Sequence, residues 1–321
     1  MDEFTLIETL IAPRAGQRDD VLLGIGDDGA IVRPPPGEDL VIVADTIVEA
    51  VHFPRNFPAS EVGYRALAVN LSDVAAMGAE PRWATLGLTM PRSDPDWLRA
   101  FVGGLVAAGA AHGIQLVGGD TTRGPLTVTV QVVGTVPAGQ ALVRHGARPG
   151  DRVWVTGTLG DAAAGLTLAM RATGSPLSAG ETFLRERFAR PTPRVAVGQA
   201  LRGVATSCID ISDGLVADLG HIARRSGCDA VVSAASLPLS DALRDLDDVY
   251  VAHELALTGG DDYELCFTVP VAAEATLRAR LAALGERATC VGEIRTGPGT
   301  VTVLDAGGEP RAPARGGYRH F

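Results

Sequence analysis

The chain contains no lysine: all 28 basic residues among its 321 are arginine. That absence excludes Schiff-base and pyridoxal-phosphate chemistry, and it removes the Walker-A lysine of P-loop proteins. A chain like this handles phosphates, if at all, with arginine, backbone N–H groups and metal ions. Aromatic residues are scarce at 5%, while Ala, Val, Leu and Gly abound, as in α/β proteins. The four cysteines (Cys208, Cys228, Cys266, Cys290) are far apart with no C-x-x-C pair. They read as reduced, buried thiols of a cytoplasmic protein. No apolar run reaches the roughly 18 residues of a membrane span, and the start "MDEFTLIETLIAPR" lacks the pattern of a signal peptide. A net charge of −10 argues against general nucleic-acid binding.

What is present points to two domains. At 46% apolar, 321 residues can bury two substantial cores. Strand signals fall at 21–26, 39–48, 83–90, 114–119 and 126–136, with helices over 60–78 and 94–113. The polar, Gly/Pro-rich stretch 137–151 marks the boundary, giving domains 1–140 and 141–321. The second half alternates again, with strands near 152–157, 206–210, 229–234, 263–270, 288–294 and 300–305. Helices are expected at 160–172, 194–203, 214–226 and 271–284. Some successive strands lack an intervening helix, which favours an α+β (mixed α/β) fold with helices on one face of a sheet. "LVGGDTT" (116–122) and "LTGGDDY" (257–263) hint at a duplication.

The acidic residues are placed unusually. "GIGDDGA" (24–30) sets Asp27 and Asp28 among three glycines after the apolar Val21-Leu22-Leu23. Asp45 ends the next predicted strand and Asp120 follows another, in "GGDTTRG". Asp210 and Asp213 lie in "CIDISDG", Asp261 and Asp262 in "GGDDYEL". One such stretch is explained by a solvated turn. Seven or eight carboxylates at strand ends beside glycine repel one another unless a cation neutralises them, and hard oxygen ligands select Mg²⁺. Asp73 shares a helical stripe with Ala66, Asn70 and Met77, so it is either a surface residue or a carboxylate reaching for a partner. No segment has the EF-hand spacing, and "GIGDDGA" is not a dinucleotide fingerprint, because acid fills the phosphate's place. His52 is a satisfied polar residue or a substrate contact. Arg144 is a linker arginine or a phosphate ligand. The terminal "GGYRHF" is a frayed tail or an arm that delivers an aromatic to a flat ring.

Taken together, "GIGDDGA", "VADTIVEAVHF", "ALAVNLSDVAAMGAEP", "GGDTTRGPL", "CIDISDGL" and "GGDDYELCFTVP" resemble the thiamine-monophosphate kinase family. That family belongs to the aminoimidazole ribonucleotide synthetase superfamily, which binds ATP without a P-loop. The resemblance implies an N-terminal α/β domain that pairs into a homodimer through a shared β-barrel. It implies a C-terminal α/β domain, helices packed on a mixed sheet, that completes the ATP and substrate site. The implied reaction is Mg²⁺-dependent transfer of the γ-phosphoryl group of ATP to thiamine monophosphate. Asp28, Asp45, Asp73, Asp120, Asp210 and Asp213, with Asp27, match metal-ligand positions. Gly119, Asp120, Arg144 and Ser212 match ATP contacts, and His52, Asp261 and Tyr318 match substrate contacts. The family often has a hydroxyl just before the aspartate of the second motif, where this chain has Val43-Ala44; that coordination position then passes to water or backbone. Rivals are a purine-pathway synthetase of the same superfamily and a metal-dependent phosphohydrolase. The selenophosphate synthetases need an N-terminal Cys, and the hydrogenase-maturation relatives a terminal one; this chain has neither.

Overall fold

The computed structural model describes residues 5, 7–171, 176–245, 249–313, 317 and 318. The chain divides into two compact units, Met1–Val74 with Ala79–Gly139, and Ala75–Gly78 with Gln140–Phe321. Both mix helices with sheet. Among the described residues no helix is long and apolar enough to cross a membrane.

In the first unit a short antiparallel pair, β1 (Val21–Leu23) and β2 (Ile31–Val32), flanks the acidic Gly-rich turn. An open four-stranded sheet follows in the order β3-β6-β4-β5, formed by β3 (Glu38–Val48), β4 (Glu80–Met90), β5 (Gln115–Arg123) and β6 (Thr127–Pro137). Only β4 and β5 run parallel. Strand alternation is clear: Val128, Val130 and Val132 are buried while Gln131 is exposed. Two helices accompany the sheet, α1 (Ala59–Ala76, all but its last two residues in this unit) and α2 (Pro95–Ala110). Helix α2 starts where Asp94 accepts the Trp97 N–H at 3.1 Å, with Pro95 in the first turn. The two helices touch backbone to backbone. A Cβ on Gly63 would lie 2.0 Å from Phe101 O, and one on Gly104 would lie 1.8 Å from Ser60 O. Beneath the sheet edge, Asp20 gathers Arg18 (2.9 Å), Arg82 (3.1 Å) and the Trp83 indole N–H (2.9 Å). These donors, Arg18 first, hold its carboxyl at about 2.

The second unit is built on a seven-stranded sheet in the order β13-β12-β9-β11-β7-β10-β8. Its strands are β7 (Arg152–Thr156), β8 (Ser207–Asp210), β9 (Cys228–Ser233), β10 (Leu265–Val269), β11 (Ala288–Thr296), β12 (Val301–Leu304) and β13 (Pro310–Arg311). Only β9 and β12 are parallel. The described helices are α3 (Asp161–Met170), α4 (Ala179–Ala189), α5 (Val195–Ala200), α6 (Leu215–Ser226), α7 (Asp241–Arg244), α8 (Val249–Thr258) and α9 (Glu274–Ala283). Val153 and Val155 join Leu215, Leu219 and Ile222 of α6 and Leu257 of α8 in one core. Trp154, between them in sequence, points the other way; its ring meets the Arg278 guanidinium of α9 at 4.7 Å. Helices therefore cover both faces of this sheet, not the single face expected from the strand order. The sequence reading also missed α4 and α8. Helix α4 buries only Leu184, Phe188 and Ala189 and is started by a Ser178–Glu181 capping box, while α8 opens on "VYV", a strand-like run. The hinted duplication is absent from the structure: Gly118-Gly119-Asp120 lies inside β5, whereas Gly259-Gly260-Asp261 is the loop between α8 and β10.

One ionic network ties this unit together. Glu264 is fully buried and meets Arg194 through two contacts at 2.7 and 2.8 Å, Arg187 at 2.7 Å and the Thr156 hydroxyl at 2.6 Å. Burial pushes its carboxyl up, but the guanidiniums and the hydroxyl outweigh that and hold it below the ordinary value. Truncation would leave two guanidiniums without their shared anion. We expect Glu264→Ala to cost about 3–5 kcal/mol, read from urea unfolding; a loss well under 1 kcal/mol would remove the network from the stability of this unit.

Candidate functional site

The first unit holds a cavity of about 510 Å³ whose lining includes Asp27, Asp28, Gly119 and Asp120, with Ile7, Ile11 and Leu86 as apolar wall. Four of the sequence-derived candidates thus share one space. The Asp27 carboxylate accepts the Asp28 N–H at 2.8 Å, which tightens the turn between β1 and β2. Gly119 has φ +151°, and a Cβ there would sit 2.0 Å from Leu86 O. Glycine is required because the Cβ position faces the backbone of β4, the neighbouring strand of the ladder.

Asp45 and Asp73 do not line that cavity; they meet each other. Asn70, fully buried on α1, accepts the Asp45 N–H at 3.1 Å and donates to Ala66 O at 3.0 Å, fastening β3 to the helix. Burial raises the Asp45 carboxyl, and a hydrogen bond from Asp73 opposes this. Two carboxyl groups so close require either a shared proton or a cation between them. The donors are all oxygen, which suits Mg²⁺. Among the described residues no three Asp, Glu, His or Cys side chains form a ready-made metal cluster. An ion here would complete its shell with water or phosphate oxygens, as Mg²⁺ does. His52 sits in the turn after β3, where its Nδ1 accepts the Val48 N–H at 3.0 Å, so a neutral ring carries its proton on Nε2.

The second unit brings together its own set. Asp210 ends β8, and the loop to α6 carries Ser212 and Asp213. The loop before β10 lies against it, with the Asp261 N–H donating to Ser212 O and the Tyr263 N–H to Ile211 O, both at 2.9 Å. Asp261 and Tyr263 have φ +73° and +51°, a conformation costly for residues other than glycine. The Tyr263 hydroxyl lies 3.4 Å from the Asp261 carboxylate. The Tyr318 N–H donates to Asp213 O at 3.1 Å, leaving its ring about half exposed. Asp210, Ser212, Asp213, Asp261 and Tyr318 are therefore neighbours; Arg319, His320 and Phe321 of "GGYRHF" lie outside the described residues. Exposed Arg144 follows Val143, whose carbonyl accepts the Cys208 N–H of β8 at 2.9 Å. Burial, then Arg224 and Arg144, lowers the nearby His221, with Asp213 opposing.

Two carboxylates in this unit have roles that the sequence reading did not give them; Asp218 went unnoticed, and Asp262 was seen only as one of the acids in "GGDDYEL". Asp218 of α6, only 3% exposed, accepts the Ser212 and Asp213 N–H groups on one oxygen, each at 3.0 Å. Its signal was an acid on the stripe 215, 218, 219, 222, otherwise apolar. Asp262, fully buried, accepts the Gly160 N–H at 2.6 Å and the Ala162 N–H at 3.2 Å at the start of α3. No local pattern announces that role, because its partners lie about a hundred residues away.

With this geometry in view, the comparisons decide the family. The AIR synthase related protein N-terminal domain model matches residues 26–136, and the C-terminal domain model matches residues 148–305. Thiamine-monophosphate kinase of Escherichia coli is 46% identical over 320 residues, covering 99% of this chain and 98% of that protein. The chain belongs to the thiamine-monophosphate kinase family. A family crystal structure from Stenotrophomonas maltophilia is 48% identical, with a TM-score of 0.88 and coverage of 97% and 98% of the two chains. The structure of AaThiL complexed with AMPPCP and TMP is 33% identical, with a TM-score of 0.79 and coverage of 99% and 97%.

The environment of Asp262 generates a pH prediction. Burial, partly offset by the Gly160 N–H, pushes its carboxyl up to about 8, against 3.8 for a free group. A raised acid keeps its proton in the folded state after the unfolded chain has lost it. Its contribution is complete below pH 4 and declines as pH rises towards 8. Asp262→Asn mimics the protonated acid, so its melting temperature should fall less than the wild type's between pH 4 and 8; parallel curves would refute the assignment.

Proposed function

We propose that the protein is an ATP-dependent phosphotransferase that converts thiamine monophosphate to thiamine diphosphate, working as a homodimer in the cytoplasm. The observation that carries this reading is the acidic, glycine-lined cavity of Asp27, Asp28, Gly119 and Asp120, in a family with a member seen with AMPPCP and TMP. The decisive experiment is an ADP-release assay offering thiamine, thiamine monophosphate and the purine precursor in turn. ADP formed only with the monophosphate supports the reading. Phosphate release without any acceptor would instead favour a phosphohydrolase.

Asp27, Asp28, Asp45, Asp73, Asp120, Asp210 and Asp213 are assigned to hold Mg²⁺. Gly119, Asp120, Arg144 and Ser212 are assigned to ATP, and His52, Asp261 and Tyr318 to the thiamine substrate. Bound Mg²⁺ lowers the repulsion between two polyanions and stabilises charge on the transferring group. The Arg144 guanidinium offers planar donors to phosphate oxygens. The acceptor is an oxygen of the substrate phosphate, already ionised near neutral pH, so no protein base is needed. Its lone pair forms a bond to the γ-phosphorus as the bond to the bridging oxygen breaks, and that electron pair leaves with ADP. Transfer is direct and in line, because the acceptor needs positioning more than activation.

The dimer has its own support. β3 is an edge strand of eleven residues with neither proline nor lysine, and Leu40 (49%) and Ile42 (60%) are exposed on it. Such an edge invites pairing with a second copy, completing a barrel that the open sheet lacks. Ile42→Glu should therefore give a monomer by light scattering; an unchanged dimer would place the interface elsewhere.

Asp45→Asn or Asp73→Asn should reduce kcat by at least about a hundredfold without changing the oligomer, and wild-type rates in either variant would remove the pair from the site. Tyr318→Ala should raise KM for thiamine monophosphate by about tenfold, within the roughly 1–3 kcal/mol range of ring stacking. KM for ATP should stay within about twofold. Equal shifts in both would return Tyr318 to the status of a tail.

A further inference from the structure

We propose that Asp218 is a positioning residue: its buried side chain holds the Ser212–Asp213 backbone in the one conformation that serves the cation and nucleotide. The inference rests on the functional reading of that loop given above.

A carboxylate at position 218 is out of place by composition. It lies in the first turn of α6, on the stripe of Leu215, Leu219 and Ile222, all of which are fully buried. Leucine would serve helix packing better, since burying an acid is costly unless its oxygens find donors. Here they do: one carboxylate oxygen accepts both the Ser212 and Asp213 N–H groups at 3.0 Å. With those N–H groups drawn inward, the two carbonyls serve other partners. Ser212 O accepts the Asp261 N–H at 2.9 Å, and Asp213 O accepts the Tyr318 N–H at 3.1 Å. Upstream, the Ile211 N–H is bound to Glu264 O at 2.8 Å. Every polar backbone group of Ser212 and Asp213 is thus committed, and Asp218 supplies the only acceptor for their N–H groups that the described contacts show. Gly214 follows with φ +109°, and a Cβ there would come within 2.8 Å of the Thr258 backbone, so the loop packs closely on the end of α8 at this point. Removing the acceptor would orphan two part-buried N–H groups, which the loop could satisfy by turning them to water. Asp210, Ser212 and Asp213 would then lose their fixed relation to one another.

The test compares three full-length variants. Asp218→Asn keeps an accepting oxygen in place; Asp218→Ala and Asp218→Leu remove it, the latter filling the apolar space. The first readout is amide hydrogen exchange at Ser212 and Asp213 without metal or nucleotide. Exchange should be faster by on the order of tenfold or more in the Ala and Leu variants and near wild type in Asn. The second is the Mg²⁺ concentration for half-maximal ADP release, which should rise by about tenfold in Ala and Leu and within about threefold in Asn. A folded Ala or Leu variant with both amides still protected, or with an unchanged Mg²⁺ requirement, would overturn the proposal. An Asn variant as impaired as Leu would overturn it too. Asp210→Asn is the separate check on the site itself. If it leaves the Mg²⁺ requirement unchanged, the assignment of this loop to the cation fails, while the exchange data still decide whether Asp218 holds the loop.

Discussion

Negative charge crowded onto short glycine-rich loops must be offset, and that constraint organises both units. The chain has 38 acidic residues against 28 basic ones, and three of the means by which it offsets buried and half-buried acids recur across it. Guanidiniums neutralise Asp20 and Glu264 where rigidity is wanted. Backbone N–H groups satisfy Asp218 and Asp262, which lets a buried acid shape a turn without drawing a cationic side chain into it. Asp45 and Asp73 lean on each other through a hydrogen bond between their side chains. Arginine, always charged and rich in donors, is the natural partner for the first means. The absence of lysine costs this architecture nothing.

The same constraint explains why Asp27, Asp28 and Asp213 sit in loops beside strand ends, whereas Asp45 and Asp120, expected at strand ends, lie within β3 and β5. Inside a sheet an aspartate would meet its cross-strand neighbours and be desolvated. In the turn after β1 the backbone is held by the strand pair while the side chains of Asp27 and Asp28 are exposed; Asp210, at the end of β8, is buried. Glycine at such points lets two backbones nearly touch, as Gly119 does over Leu86. In the second unit the loops after β8 and before β10 hold one another through backbone bonds, and the non-glycine residues Asp261 and Tyr263 accept a strained conformation to do so. Strain of that kind persists only where surrounding contacts over-determine it.

Much of this was legible in the sequence for identifiable reasons. β3, β4 and β6 announce themselves by alternation, and α1 and α2 by apolar periodicity with proline or capping signals at their ends. The acidic turns stood out because Asp-Asp beside several glycines is a poor choice for a mere turn. Long-range relations were not legible. That Trp154 packs under α9, so that both faces of the second sheet are covered, depends on a strand order joining residues more than a hundred apart. Asn70 was noticed only as a member of a helical stripe, because its work, holding the Asp45 backbone, is done across 25 positions. The matching Gly-Gly-Asp triplets misled because three residues do not determine a conformation: one is strand, the other loop.

The bond between the Tyr318 N–H and Asp213 O joins Tyr318 to the loop that follows Asp210. A ligand that stiffens this loop prepays part of the ordering entropy of the residue docked on it, and a molecule resting on the Tyr318 ring does the converse. Thermodynamic linkage makes the two effects equal in free energy. On the assignments proposed above, nucleotide and thiamine substrate would each tighten the binding of the other through a single peptide hydrogen bond, with no change of shape required.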